Sequence, residues 1–166
     1  NAVHPISLVE VRYSLADRHI EDDLLPTARE LGVGIVAFGV LLSGLIGGSS
    51  QEEKLKSIGQ RISPEALATM KANLVRTNAL KQIAVEKGAT LAQLAIAWVL
   101  AQGEDIIALV GSRTASQIKD TIQALNVKLT KEDLDRIKRI MPKEEATCSY
   151  MLDVDIDSKG LFHAKQ

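Results

Sequence analysis

The chain has 166 residues, enough for one domain with a sizeable core, and with 46% apolar but only 3% aromatic residues that core is aliphatic. Its 20 basic and 21 acidic residues form no basic block and no aromatic–basic interleaving, which excludes nucleic acid as an expected partner. The one cysteine, Cys148, can neither staple a fold nor build a zinc site, and no secretory signal opens the chain, so a cytoplasmic compartment is expected.

In chain order, the first residue is Asn1 rather than Met, as expected of a fragment, a processed product or a trimmed chain. Residues 5–13 are short, β-branched and apolar and read as a strand. A helix over 21–31 is stopped by Gly32 at its C′ position. Residues 33–38 form a second strand and 39–50 a loop. The stretch 31–48 is uncharged and meets the roughly 18-residue criterion for a membrane span. Its glycines (Gly32, Gly34, Gly39, Gly44, Gly47, Gly48) leave only 35–42 densely apolar. A buried parallel strand entering a loop is the better reading, and no membrane partner is expected.

Residues 51–62 are polar and read as a short helix or an ordered excursion. Ser63 and Pro64 supply a cap and a first-position proline for a helix to about Asn73. Another runs from about Asn78 to Lys87 and stops at Gly88. Thr90 with Gln93 makes a capping box. Its helix aligns Leu91, Leu94, Ala95, Trp98 and Val99 on one stripe, and Gly103 ends it. Residues 106–110 form the third strand. Thr114 with Gln117 opens a helix to about Leu125, and Thr130 with Asp133 opens one over 131–140, stopped by Pro142. In the tail, Asp153, Asp155 and Asp157 alternate with Leu152, Val154 and Ile156. Ser158 and Ala164 stand where a calcium loop needs Gly and Glu, so a short strand with one solvated face is expected instead.

Strands alternating with helices predict an α/β fold with a parallel sheet. Three strands leave two edges exposed, and such edges favour self-association.

Two places could carry chemistry. Gly111, Ser112 and Arg113 lead from the third strand into a helix start, where unpaired N–H groups, a hydroxyl and a guanidinium suit a phosphate. In (β/α)8 barrels the phosphate site commonly follows the last strands. From spacing alone an ordinary turn with a surface arginine is an equal reading. Gly39, Leu41, Ser43 and Gly44 leave the C-terminal end of the second strand, where α/β proteins place ligands; from these residues alone a plain connector is the favoured reading. Glu10 interrupts the first strand's apolar run, facing either a ligand or solvent. His4, His19 and His163 lack ligand spacing, so no metal is expected.

These pieces, in this order, resemble the aldo-keto reductase family. Val9-Glu10-Val11-Arg12-Tyr13-Ser14-Leu15 is similar to the family's sixth-strand pattern V-Q-x-x-Y-S-L. Ala37-Phe38-Gly39-Val40-Leu41-Leu42-Ser43-Gly44-Leu45 resembles A-Y-S/G-x-L-x-x-G-L after strand seven. Residues 90–100 (TLAQLAIAWVL) are close to T-x-A-Q-L-A-L-A-W-V-L. Gly111-Ser112-Arg113 with Gln117 and Asp120 resembles G-x-R-x-x-x-Q-x-x-E-N.

The resemblance implies a TIM-barrel family fold, with residues 1–142 covering about the last three βα units and 143–166 a C-terminal tail. It implies NADP as cofactor, with NAD as the alternative, and an aldehyde or ketone as the substrate reduced by hydride transfer. Glu10 would stand where a glutamine holds the nicotinamide carboxamide, and Phe38 where a tyrosine stacks on the ring. Gly39, Leu41, Ser43 and Gly44 would lie along the pyrophosphate. Gly111, Ser112, Arg113 and Gln117 would meet the adenosine 2′-phosphate region, and Asp120 and Thr121 the adenine. The family's catalytic Asp, Tyr, Lys and His belong to earlier strands, so this chain is expected to lack them and to need the missing N-terminal barrel half. Tyr13 belongs to the strand-six motif and is not expected to be the proton donor. The second function class is a non-catalytic cofactor-binding or scaffold subunit.

Overall fold

A computed structural model of the chain describes residues 4–46, 51–60 and 62–145, and two short tail strands at 154–156 and 162–164. The elements are β1 (Leu8–Arg12), α1 (Leu24–Glu30), β2 (Gly34–Phe38), α2 (Gln51–Gly59), α3 (Pro64–Ala79), α4 (Lys81–Glu86), α5 (Leu91–Leu100), β3 (Ile106–Ala108), α6 (Ala115–Ile122), α7 (Lys131–Ile140), β4 (Val154–Ile156) and β5 (Phe162–Ala164). β1, β2 and β3 form a parallel sheet in that order, and β4 and β5 pair antiparallel in a separate two-stranded sheet.

The two faces of the parallel sheet differ. Ile35, Ala37 and Ile106 point into the helix layer, where they join Leu94, Ala95, Trp98 and Val99 in one core cluster. Their neighbours point the other way, because side chains alternate along a strand. On that face Glu10 is exposed, Leu8 is 52% exposed and Ile107 is 53% exposed. Parallel sheets are ordinarily buried on both sides, whereas this face is left largely bare. α6 also leaves Ile118 and Ile122 half exposed beside the β3 end of the sheet.

The expected helix ends hold where a glycine or a cap defines them. Gly32 takes φ +67°, and Val33 N–H reaches Ala28 C=O at 2.8 Å while Gly32 N–H reaches Arg29 C=O at 3.2 Å. This is the paired bond pattern of a Schellman motif, open to glycine because φ is positive. The expected helix starts at Thr90/Gln93, Thr114/Gln117 and Thr130/Asp133 each form a capping box, the third of which goes beyond the helix start expected there.

Several expected boundaries move. β1 starts at Leu8 rather than residue 5. The first helix splits into a 3-10 turn at His19–Glu21 and α1, whose start is fixed by the Asp23 side chain accepting Leu24 N–H at 2.5 Å. α3 does not stop near Asn73 but runs to Ala79: Asn73 and Thr77 are buried, and the Thr77 hydroxyl donates to Asn73 C=O at 2.7 Å. Burial of one helix face overrides the low helix propensity of those polar residues. Gly103 lies beyond α5 but has no positive φ; a side chain there would collide with Asp105 and Arg29. Those two form a fork from Arg29 Nε and Nη2 to the Asp105 carboxylate at 2.9 and 3.1 Å, tying α1 to the start of β3. The polar stretch after residue 50 contains α2. The described part of the uncharged run, residues 31–46, holds β2 and a 3-10 turn at Leu42–Gly44, and no single helix among the described residues is long and apolar enough to cross a membrane.

Candidate functional site

A cleft of about 530 Å³ opens at the C-terminal ends of β2 and β3. One wall is the loop after β2, represented by Gly39, Val40, Leu41, Gly44 and Ile46. The other is the β3–α6 connection, with Leu109 to Arg113 and then Gln117, Asp120 and Thr121. The two walls are held in register because Leu109 N–H donates to Ala37 C=O at 2.8 Å.

The loop has an unusual backbone. Gly39 (φ +73°) and Gly44 (φ +80°) sit in the left-handed region, and Leu42 lies there too at φ 50°. A branched residue in that conformation is strained, by roughly 1 kcal/mol or more, and persists where packing enforces it. Leu42 is 4% exposed, so burial holds the turn. Leu42 N–H to Gly39 C=O (3.0 Å) and Gly44 N–H to Leu41 C=O (2.9 Å) close two successive turns. Two side chains of α2 staple it to this loop: Gln51 Nε2 donates to Leu45 C=O at 2.8 Å and Lys54 Nζ to Gly44 C=O at 2.6 Å.

On the opposite wall the capping box shapes the turn. Gln117 Oε1 accepts from Arg113 N–H at 2.7 Å and Thr114 N–H at 3.2 Å, and Thr114 Oγ1 accepts from Gln117 N–H. The expected Gln117 therefore lines the cleft, with its amide oxygen committed to the cap. Arg113 is exposed just before the Thr114 cap of α6, beside a first turn whose N–H groups without helical partners and helix dipole favour an anion. Asp120 is positioned from α5: Gln93 Nε2 donates to its side chain at 2.7 Å and to its backbone carbonyl at 3.0 Å.

Of the expected residues, the cleft unites Gly39, Leu41, Gly44, Gly111, Ser112, Arg113, Gln117, Asp120 and Thr121. Ser43 falls in the Leu42–Gly44 turn. Glu10 and Phe38 do not line the cleft. They share the bare face of the sheet, with Glu10 opposite Val36 and Phe38 opposite Arg12. The Arg12 guanidinium lies 5.5 Å from the Phe38 ring centroid, within cation–π range. Lys54 and Gln93 are the residues that sequence reasoning missed. Gln93 was readable only as a cap, and Lys54 carries no local signal.

Tyr13 points away from this cleft, on the same side of β1 as Val9 and Val11. It is fully buried, its ring lies 5.5 Å from Trp98, and its hydroxyl donates to Glu21 Oε1 at 2.8 Å. Burial, then the Glu21 charge and hydrogen bond, push its ionisation far above the usual phenol value of 10.0. A raised folded-state value means that the neutral phenol's stabilisation is complete below about pH 10 and is lost as pH rises further. The difference in tyrosinate absorbance between wild type and Tyr13→Phe should therefore appear only as the chain unfolds in alkali. A Tyr13 signal titrating near pH 10 in the folded chain would contradict this burial.

A model of the aldo/keto reductase family matches residues 1–142. The chain belongs to that family. It is 37% identical over 147 residues to "Probable aldo-keto reductase 1" of Glycine max, an alignment covering 86% of this chain and 42% of that protein. Among solved structures it is similar to an aldo/keto reductase from Klebsiella pneumoniae in complex with NADP and acetate, with TM-score 0.58, 22% identity, and coverage of 82% of this chain and 40% of that one. It is also similar to the thermostable aldo-keto reductase Tm1743 bound to the inhibitor epalrestat, with TM-score 0.58, 25% identity and coverage of 82% and 40%. The chain thus spans about two fifths of the length of these relatives, and its parallel sheet is part of an aldo/keto reductase barrel.

Proposed function

We propose that residues 1–142 form the sixth to eighth βα units of an NADP(H)-dependent aldo-keto reductase that reduces aldehydes or ketones, with 143–166 as a tail outside the barrel. The observation that carries this reading is the cleft itself, which draws its walls from the two loops that the family motifs singled out. Its volume lies within the range of small-molecule sites. Its chemistry suits a phosphorylated nucleotide: a guanidinium and an ammonium on facing walls, the Ser112 hydroxyl and the first turn of α6. The cofactor would supply the hydride; this chain's residues would bind and orient it. Arg113 would hold the 2′-phosphate, the Gly39–Gly44 loop would follow the pyrophosphate, and Asp120, fixed by Gln93, would border the adenine with Thr121. Phe38 would offer a stacking face to the nicotinamide, and Glu10 could accept from the carboxamide NH₂.

In this reading the bare sheet face, with Leu8, Val36 and Ile107, is interior surface that the other barrel strands cover. Those strands would also bring the catalytic Asp, Tyr, Lys and His. The compartment proposed is the cytoplasm. Fluorescence titration of the chain with NADPH and NADH tests the reading: NADPH should bind, and more tightly than NADH. Absence of binding to either would remove its basis. Turnover of a reactive aldehyde by the pure chain should be negligible; robust turnover would mean that it carries its own proton donor.

A further inference from the structure

We propose that Lys54 is the diphosphate clamp of the cleft, a binding residue outside the family motifs seen in the sequence; this rests on the cofactor reading above. Lys54 belongs to α2, an excursion beyond the loop, yet its ammonium reaches back ten positions in sequence to the wall of the cleft. It is half buried, while Lys56, two residues on, is exposed. Among the described residues no carboxylate forms an ion pair with its ammonium. Its acceptor is the neutral Gly44 carbonyl at 2.6 Å, and a lysine ammonium has three donors. Two remain for an anion in the cleft.

The location selects which anion. Lys54 stands over Gly44, so closely that a side chain added to that glycine would meet its ammonium at 3.0 Å. This is the loop wall, whereas Arg113 stands on the α6 wall. A dinucleotide spanning the two would set its diphosphate against the loop and its adenosine end against α6. The two cations then divide the work by chemistry. Lys54, a point charge on a flexible stem, meets the phosphates that NADPH and NADH share. Arg113, a planar fork, meets the monoester that only NADPH carries.

The test compares Lys54→Met and Arg113→Met in the full chain, titrated with NADPH, NADH and adenosine 2′-monophosphate, with circular dichroism confirming that each variant is folded. Lys54→Met should weaken NADPH and NADH by the same factor, about tenfold for one charge-assisted contact, and leave the monophosphate, which has no 5′-phosphate, nearly unchanged. Lys54→Arg should recover most of the loss. Arg113→Met should weaken NADPH and the monophosphate more than NADH. If wild type binds none of the three, the cofactor reading itself fails. If wild type binds but Lys54→Met binds equally well, or loses NADPH alone, the cofactor reading stands and the assignment of Lys54 is overturned.

Discussion

Replacing Glu21 with alanine is expected to destabilise the chain by about 3 kcal/mol, measured by urea unfolding. Glu21 Oε1 accepts from Tyr13 Oη at 2.8 Å and from Arg18 Nε at 2.7 Å, and Oε2 accepts from Arg18 Nη2 at 3.0 Å. Arg18 is only 9% exposed; its other terminal nitrogen donates to Met141 C=O at 3.3 Å and its guanidinium lies 5.2 Å from the Trp98 ring. Alanine would leave a buried cation without counter-charge and a fully buried phenol without acceptor. Both penalties exceed the value of the lost bonds, because the desolvation already incurred is no longer offset. The lower end of the roughly 3–5 kcal/mol range for broken buried pairs applies, since the Glu21 side chain keeps 17% exposure. Tyr13→Phe, which removes one hydroxyl and leaves the ion pair, should cost only about 1 kcal/mol. A Glu21→Ala loss below that of Tyr13→Phe would show that water or the Met141 carbonyl satisfies Arg18 alone.

Replacing Arg113 with alanine is expected to weaken NADPH binding about twentyfold, or roughly 1.8 kcal/mol, and NADH binding no more than about threefold. The side chain is exposed and its backbone N–H is fixed to Gln117 Oε1, so truncation removes a charge without disturbing the cap. Adding salt should narrow the difference between wild type and variant, because an exposed charge is screened over about 8 Å at physiological ionic strength. Equal losses for both dinucleotides would place the guanidinium on a shared phosphate instead of the 2′-phosphate.

What could be read from the sequence was local. Each of the three Thr-initiated helix starts is a spacing of three residues, and each forms with a capping box. Gly32 marks a stop because left-handed backbone at a helix end favours glycine. The Gly111–Arg113 turn was visible as a strand running into a cap. What could not be read depends on distance in space. Asn73 and Thr77 resemble a helix break until one sees that they are buried within α3. Glu10 and Phe38 belong to the expected set by motif, but strand alternation turns them onto the bare face instead of the cleft lining. Lys54 is one of two lysines in a polar stretch, and only the fold of the loop brings its ammonium to Gly44. The β4–β5 pairing was half legible: alternation around Asp155 suggested one strand, while its partner at Phe162–Ala164 has too little pattern to announce itself.

The strand order also bears on how the sheet assembles. Each strand lies beside the next one in sequence, but the two connections differ greatly in length: Leu8 meets Gly34 across a short stretch, whereas Ile35 meets Ile106 only after α2 to α5 have been traversed. Loop-closure entropy rises with the length of chain enclosed, so pairing of β1 with β2 has the smaller entropic cost. By the same rule β3, and with it the wall of the cleft that carries Arg113, is expected to pair later, an order that φ values at Val11 and Ile106 would check.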